Sequence, residues 1–187
     1  MRNLILASQS PRRRELLEKC GYPFEVIVAD IDETIDTNKS LEEAIKELAY
    51  KKAKKVFDEH NDSIVIGSDT IVTIDNKVLG KPKDEEDAFK MLKMLSGKTH
   101  QVITGLAVLT QDKSYLEVSV NDVTFYELSD EEIKKYISSK EPMDKAGSYA
   151  IQGIASRYIK NINGDYYAIV GLPVSTLYHI LKDIYND

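Results

Sequence analysis

Leu4-Ile5-Leu6-Ala7-Ser8-Gln9-Ser10-Pro11-Arg12-Arg13-Arg14-Glu15-Leu16-Leu17 reads as a short buried strand, a hydroxyl-rich turn and a helix that starts on proline. Ser10 is a good N-cap, and Pro11 suits the first helical position, where an N–H would have no intrahelical partner. The helix therefore begins at a fixed point. Its first turn carries three arginines, although the macrodipole there favours acids by roughly 0.3–1 kcal/mol per charge. Helix electrostatics do not account for them. Either free N–H groups, serine hydroxyls and guanidinium forks converge on a multiply charged anion such as a polyphosphate, or the arginines are solvated or paired with some of the 31 Asp and Glu residues. The rest of the chain is built around this turn.

At 187 residues the chain suits one domain, or one domain with a modest lobe, and it is long enough to bury a core. Apolar residues make up 42% and charged residues 30%, an ordinary balance for a soluble globular protein. With 25 Lys and Arg against 31 Asp and Glu, the net charge is -6. That disfavours a long nucleic acid as partner, because such binding rests on broad phosphate neutralisation. Cys20 is the single cysteine, so an internal disulfide and a thiolate metal cluster are ruled out, and a reducing compartment fits. After Arg2 only four apolar residues precede Ser8, against the ~7–15 of a signal-peptide core, and every apolar run is far shorter than the ~18 residues of a membrane span. The expectation is a cytoplasmic protein with no membrane association.

Along the chain, Phe24 to Ala29 reads as a strand running into the acidic turn Asp30-Ile31-Asp32-Glu33, where Glu33 or a neighbouring aspartate is a metal ligand or acid/base group, or the turn is a hydrated loop. Ser40 with Glu43 forms a capping box, and apolar residues at Leu41, Ala44, Ile45, Leu48, Ala49, Ala53 and Val56 mark an amphipathic helix. Its lysines at 51, 52, 54 and 55 lie on more than one face. Ser63 to Ile74 reads as a strand rich in β-branched residues, interrupted by Asp69, and Asp75-Asn76 turns it back into Val78-Leu79. An unpaired carboxylate is costly in such a strand, so Asp69 is compensated by a cation, lies open at a site, or bonds turn amides structurally. Gly80-Lys81-Pro82 places a point charge between two conformational constraints. Asp84 caps a helix to about Leu95. His100 to Leu109 and Tyr115 to Tyr126 read as strands joined by a hairpin, and Ser129 with Glu132 opens a helix to about Ile137. The tract from Glu141 to Gly153 is loop-like. Tyr158 to Ile162 and Tyr166 to Val170 are predicted to form a hairpin about Asn163-Gly164, and a helix closes the chain after Pro173.

The Walker, HExxH and GxSxG patterns are absent, and the histidines at 60, 100 and 179 form no ligand cluster. What remains is basic groups (Arg12, Arg13, Lys81 and a helix lysine), carboxylates (Glu33, Asp69 and Asp144), turn hydroxyls and glycines. That set suits metal-assisted attack on a phosphate, with a hard, oxygen-liganded Mg²⁺ or Mn²⁺.

Taken in order, SQSPRRREL, the Lys52-Ala53 pair after Leu48-Ala49, IGSDTIV, LGKP, HQVITG, EPMDKAGSYAIQG and GLPV resemble the Maf family of nucleoside triphosphate pyrophosphatases from about residue 3 to residue 177. The resemblance implies one Maf-like domain over residues 1–187 with an elongated α/β fold, related to that of inosine triphosphate pyrophosphatases. In that fold a central mixed, twisted sheet is flanked by helices and a cleft divides two lobes. It implies metal-dependent hydrolysis of a nucleoside triphosphate to the monophosphate and pyrophosphate, and possession of Arg12, Thr70 and Gln152 resembles the branch acting on dTTP, UTP and modified uridine triphosphates. By the same resemblance Asp69 is the general base, and Lys52 and Lys81 neutralise the triphosphate. Ser8, Ser10, Arg12 and Arg13 hold phosphates, Thr70 and Gln152 shape the base pocket, and Glu33 with Asp69 binds the metal. A homodimer is also implied. The family's other associated role, a nucleotide-binding regulator of cell division acting through a protein partner, is the alternative. Ser68, Asn121, Ala168 and Ile154 to Arg157 depart from the family's commoner residues, which bears on the base pocket and not on Asp69 or the cations.

Overall fold

The computed structural model describes residues 2–36 and 38–186. Its strands are β1 (Leu4–Leu6), β2 (Glu25–Val26), β3 (Ile64–Ile74), β4 (Lys77–Leu79), β5 (Thr99–Leu109), β6 (Ser114–Phe125) and β7 (Ile159–Asn163). They form one mixed sheet in the order β2-β1-β3-β5-β6-β7, with β4 on β3. β1 runs parallel to β2 and β3, whereas the β3–β4 and β6–β7 pairs are antiparallel. The helices are α1 (Pro11–Glu18), α2 (Leu41–Phe57), α3 (Glu85–Leu95), α4 (Asp130–Ser138), α5 (Tyr166–Val170) and α6 (Val174–Tyr185). The chain folds as two compact units, one of Met1–Thr70, Thr104–Ser119 and Tyr167–Asp187, the other of Ile71–Ile103 and Val120–Tyr166.

In the first unit the helices start where their caps dictate. Ser10 Oγ accepts the Arg13 N–H at 3.4 Å, and Ser40 and Glu43 exchange both bonds of a capping box. Behind α2 lies a core cluster of Ile5, Ala7, Ala49, Ala53, Val56, Val65, Ala107 and Leu109. The helix comes unusually close to the strands beneath it. A Cβ at Gly67 would lie 2.2 Å from the Ala49 carbonyl oxygen, and one at Gly105 would lie 2.5 Å from that of Ile45. Glycine at both positions lets the backbone of α2 rest on β3 and β5.

In the second unit Asp75 and Asn76 both take positive φ, 50° and 61°, and set the two-residue β3–β4 hairpin. Asp84 caps α3, a capping box of Ser129 and Glu132 opens α4, and the two helices pack together. An aromatic cluster fills the interior. The His100, Phe125 and Tyr149 rings meet edge to face at 4.9–5.4 Å, and His100 Nε2 lies 2.7 Å from the Tyr149 hydroxyl.

Three expectations need correction. The strand expected over Phe24 to Ala29 shrinks to Glu25–Val26, both exposed, because its partner β1 offers it only Ile5 and Leu6. The hairpin expected between 158–162 and 166–170 does not form. β7 pairs with β6 instead, and Tyr166–Val170 is a helix that buries Ala168, Ile169 and Val170. The reversal turns on Asn121, whose Oδ1 accepts the Asp165 N–H at 2.7 Å and occupies the space a side chain at Gly164 (φ 135°) would need. The tract expected as a loop from Glu141 contains short 3-10 turns at Glu141–Asp144 and Ala146–Ser148. Among the described residues, no helix is long and apolar enough to cross a membrane.

His100 is buried and its Nδ1 has no partner among the described residues, so a proton there would be poorly solvated. Burial pushes its pKa down from 6.5 to about 4. Between those values the unfolded chain binds a proton that the folded chain refuses. Stability is therefore complete above about pH 6.5 and falls as pH drops toward about 4, by up to about 3 kcal/mol. Urea unfolding across that range should show a shallower pH slope for His100→Gln than for the natural chain; equal slopes would remove His100 as the cause.

Candidate active site

Asp69 lies on β3 between residues that are almost all buried, and its side chain is 16% exposed. The expected compensation is present twice. Lys52 Nζ is 3.2 Å from Asp69 Oδ2, and Arg13 Nη2 is 3.5 Å from Oδ1. Lys52 also reaches Glu33 Oε1 at 2.7 Å. Among the lysines at 51, 52, 54 and 55, only Lys52 is buried. The signal was in the helical spacing, since 52 follows Ile45 by seven and Leu48 by four and so falls on the apolar stripe.

Arg13 is held by more than its charge. Its Nε donates to the Gly171 carbonyl at 2.9 Å and its Nη2 to Thr70 Oγ1 at 3.3 Å. Burial pulls its pKa down, and attraction to Asp69 opposes that shift. Thr104 Oγ1 donates to the Ala168 carbonyl at 2.7 Å, which uses its one proton. The 2.9 Å contact between Thr70 and Thr104 must then run from the Thr70 hydroxyl to Thr104. A directed chain results, from Arg13 through Thr70 and Thr104 to the Ala168 carbonyl. Ser68 Oγ lies 2.9 Å from the Gly105 carbonyl and 3.0 Å from that of Gly171, so the carbonyl that orients Arg13 is itself fixed. Sequence reasoning did not single out Thr104, although it lies in the HQVITG motif and places a hydroxyl inside the apolar run Val102 to Leu109.

The three arginines of α1 diverge. Arg13 turns to Asp69, Arg14 pairs with Glu18 at 3.7 Å in solvent, and Arg12 makes no ion pair among the described residues. Ser8 Oγ accepts the Ser10 N–H at 3.2 Å, which ties the turn ahead of the helix. Ser8, Ser10, Arg12, Arg13, Glu33, Lys52, Asp69 and Thr70 thus belong to one compact unit. Lys81 and Gln152 belong to the other, and both are exposed. Lys81 follows Gly80, whose carbonyl accepts the Gly147 N–H at 3.1 Å. Asp144, a weaker carboxylate candidate, is in this second unit and pairs with Lys145.

Among the described residues, no group of three or more His, Cys, Asp or Glu is placed to hold a metal ion. Glu33 and Asp69 do converge on one ammonium group, and Glu33 is 58% exposed. Two carboxylates fit a hard divalent ion, which would draw its remaining ligands from water and phosphate oxygens.

The class of fold is seen in a HAM1 protein from Coxiella burnetii, whose structure superposes with a TM-score of 0.55 at 15% identity, covering 98% of this chain and 100% of that one. The family described as Maf-like protein matches residues 3–184, and the chain belongs to it. Full-length relatives named dTTP/UTP pyrophosphatase include those of Bacillus cereus (strain ZK / E33L) and Bacillus thuringiensis subsp. konkukian, each 51% identical, and of Bacillus anthracis, 50% identical. Each alignment covers 100% of this chain and 98% of the relative.

Lys52→Met leaves Asp69 with Arg13 alone. Removing one partner of a largely buried pair should lower the unfolding free energy by about 3 kcal/mol. Asp69→Asn in the same chain should restore part of that loss. If urea midpoints show the two changes simply adding, Lys52 is not compensating Asp69.

Proposed function

We propose that this protein is a nucleoside triphosphate pyrophosphatase that hydrolyses dTTP and UTP, and modified uridine triphosphates, to the monophosphate and pyrophosphate. The observation that carries the proposal is Asp69 held on β3 between Lys52 and Arg13, in a chain whose full-length relatives bear the name of that activity.

In the proposed step water forms a bond to the α-phosphorus while the bond from that phosphorus to the oxygen bridging it to the β-phosphate breaks, and pyrophosphate leaves with that oxygen. Asp69 takes the water's proton. One of its oxygens faces the Thr70 amide and Arg13 and the other faces Lys52, and a carboxylate has lone pairs to spare beyond these contacts. Because those cations already orient it, no reorganisation is needed when the water arrives. Arg12 and Arg13, with Ser8, Ser10 and the start of α1, bind phosphate oxygens. Lys52 and Lys81 offset the charge that grows on the leaving pyrophosphate. Glu33 and Asp69 would hold Mg²⁺ or Mn²⁺, which when bound polarises phosphoryl oxygens and acidifies water. Gln152 offers a donor and an acceptor to a uracil or thymine edge, which presents both. Thr70, whose proton is directed to Thr104, contributes by shaping the pocket and steadying Arg13.

In this reading the two compact units work as one domain over residues 1–187. The setting is the cytoplasm, where the single buried Cys20, its thiol pushed up to about 11, stays unreactive. The homodimer implied by the family resemblance belongs to the same reading. The regulatory alternative is disfavoured because a sensor needs a phosphate cradle but has no use for a base, and the relatives are named for catalysis.

Pyrophosphate release with Mg²⁺ or Mn²⁺ should be fastest with dTTP and UTP in a panel including CTP, GTP, ATP and 7-methyl-GTP. Asp69→Asn should abolish turnover while leaving much of the nucleotide affinity. Activity within a few-fold of the natural chain would exclude Asp69 as the base, and nucleotide binding without any turnover would favour the regulator.

A further inference from the structure

Gln152 sits near the tip of a tight turn closed by the Gly153 N–H to Ala150 carbonyl bond of 3.0 Å. Ala150 and Ile151 are buried, whereas Gln152 is exposed. Both ends of the turn are gripped by residues at the C-terminal side of α4. At the first end, the Ala150 N–H donates to the Tyr136 hydroxyl at 3.3 Å. At the other, the Ile154 N–H donates to the Glu141 carboxylate, at 2.9 Å and 3.0 Å to its two oxygens. A bond to an ionised acceptor is among the stronger kinds.

The grips are individually constrained. Tyr136 is fully buried and packs edge to face on Tyr158 at 5.6 Å. Glu141 follows Lys140, which takes φ 64° as the chain leaves the helix, and the Glu141 N–H donates to Ser139 Oγ at 3.3 Å. Gly153 makes the reach possible. A Cβ there would lie 1.7 Å from Glu141 Oε1, so any side chain at 153 would push the carboxylate off the turn.

We infer that Glu141 and Tyr136 are positioning residues for base selection: they pin the Ala150–Ile154 turn at both ends and thereby fix the direction in which Gln152 presents its amide. The inference rests on the reading of Gln152 as the base-contacting residue. An amide discriminates between bases only while its donor and acceptor stay in register with the base edge, and a shift of about 1 Å forfeits that register. Neither Glu141 nor Tyr136 needs to touch the nucleotide.

The test compares the ratio of UTP to CTP turnover, with binding of inorganic tripolyphosphate as a readout that involves no base. Gln152→Ala should shrink the ratio. Glu141→Ala and Gly153→Ala should each shrink it by about tenfold, equivalent to ~1.4 kcal/mol, while tripolyphosphate affinity stays unchanged. Glu141→Gln, whose carbonyl still accepts from Ile154, should retain most of the ratio. In a Gln152→Ala chain, Glu141→Ala should have no further effect on it. If Gln152→Ala shifts the ratio but Glu141→Ala and Gly153→Ala do not, the positioning role is wrong and the base contact stands. An unchanged ratio in Gln152→Ala removes the base contact and the positioning role together. An equal effect of Glu141→Ala with and without Gln152 would also overturn the positioning role. Should Glu141→Ala not fold, Gly153→Ala, which displaces the carboxylate without deleting it, decides the matter.

Discussion

Asp69 interrupts a strand whose neighbours on either side, Ile64 to Ile66 and Ile71 to Val72, are buried, and its charge is answered by Lys52 from α2 and Arg13 from α1. A carboxylate in that setting is tolerable only with partners, and a partner at the end of a long side chain is useful only if its backbone is fixed. The requirement spreads outward. Arg13 needs the Gly171 carbonyl, that carbonyl is shared with Ser68, and the second arm of Arg13 needs a threonine pair that ends on Ala168. Segments far apart in the chain thus meet at one oxygen-rich point. The local cap at Ser10 matters for the same reason, because it sets where along α1 the guanidinium of Arg13 emerges.

The parts of this arrangement differ in how far they could be read beforehand. Helices with a self-contained start were legible, since Ser40 with Glu43 and Ser129 with Glu132 need only their own turn to form. So was the Asp75-Asn76 turn. Tyr166 to Val170 was not, because five apolar residues carry no period long enough to separate helix from strand, and the outcome depends on Asn121, more than forty positions away. At the candidate site Asp69 announced itself as a charge out of place. Which of Arg12, Arg13 and Arg14 would answer it depends on how α1 is rotated against β3, a tertiary quantity that the sequence holds only indirectly. Thr104 illustrates the limit, because a hydroxyl within an apolar strand looks like ordinary β-propensity until its partners are known.

Belonging to a family, sharing a fold and having a particular chemistry rest on different observations here. The likeness to the HAM1 structure at 15% identity speaks for the fold alone. Membership in the Maf-like family rests on a match across residues 3–184. The chemistry rests on side chains, and those of the first unit are joined into one network around Asp69.

The near contact of α2 with β3 and β5 makes Gly67 and Gly105 part of the account although neither carries a functional group. A single methyl at either would have to raise the helix, and Lys52 would rise with it. Steric constraint therefore extends behind Asp69 and Lys52, to two positions that a survey of reactive groups would pass over as blank. Blank as they are, these two glycines set the height at which the lysine stands.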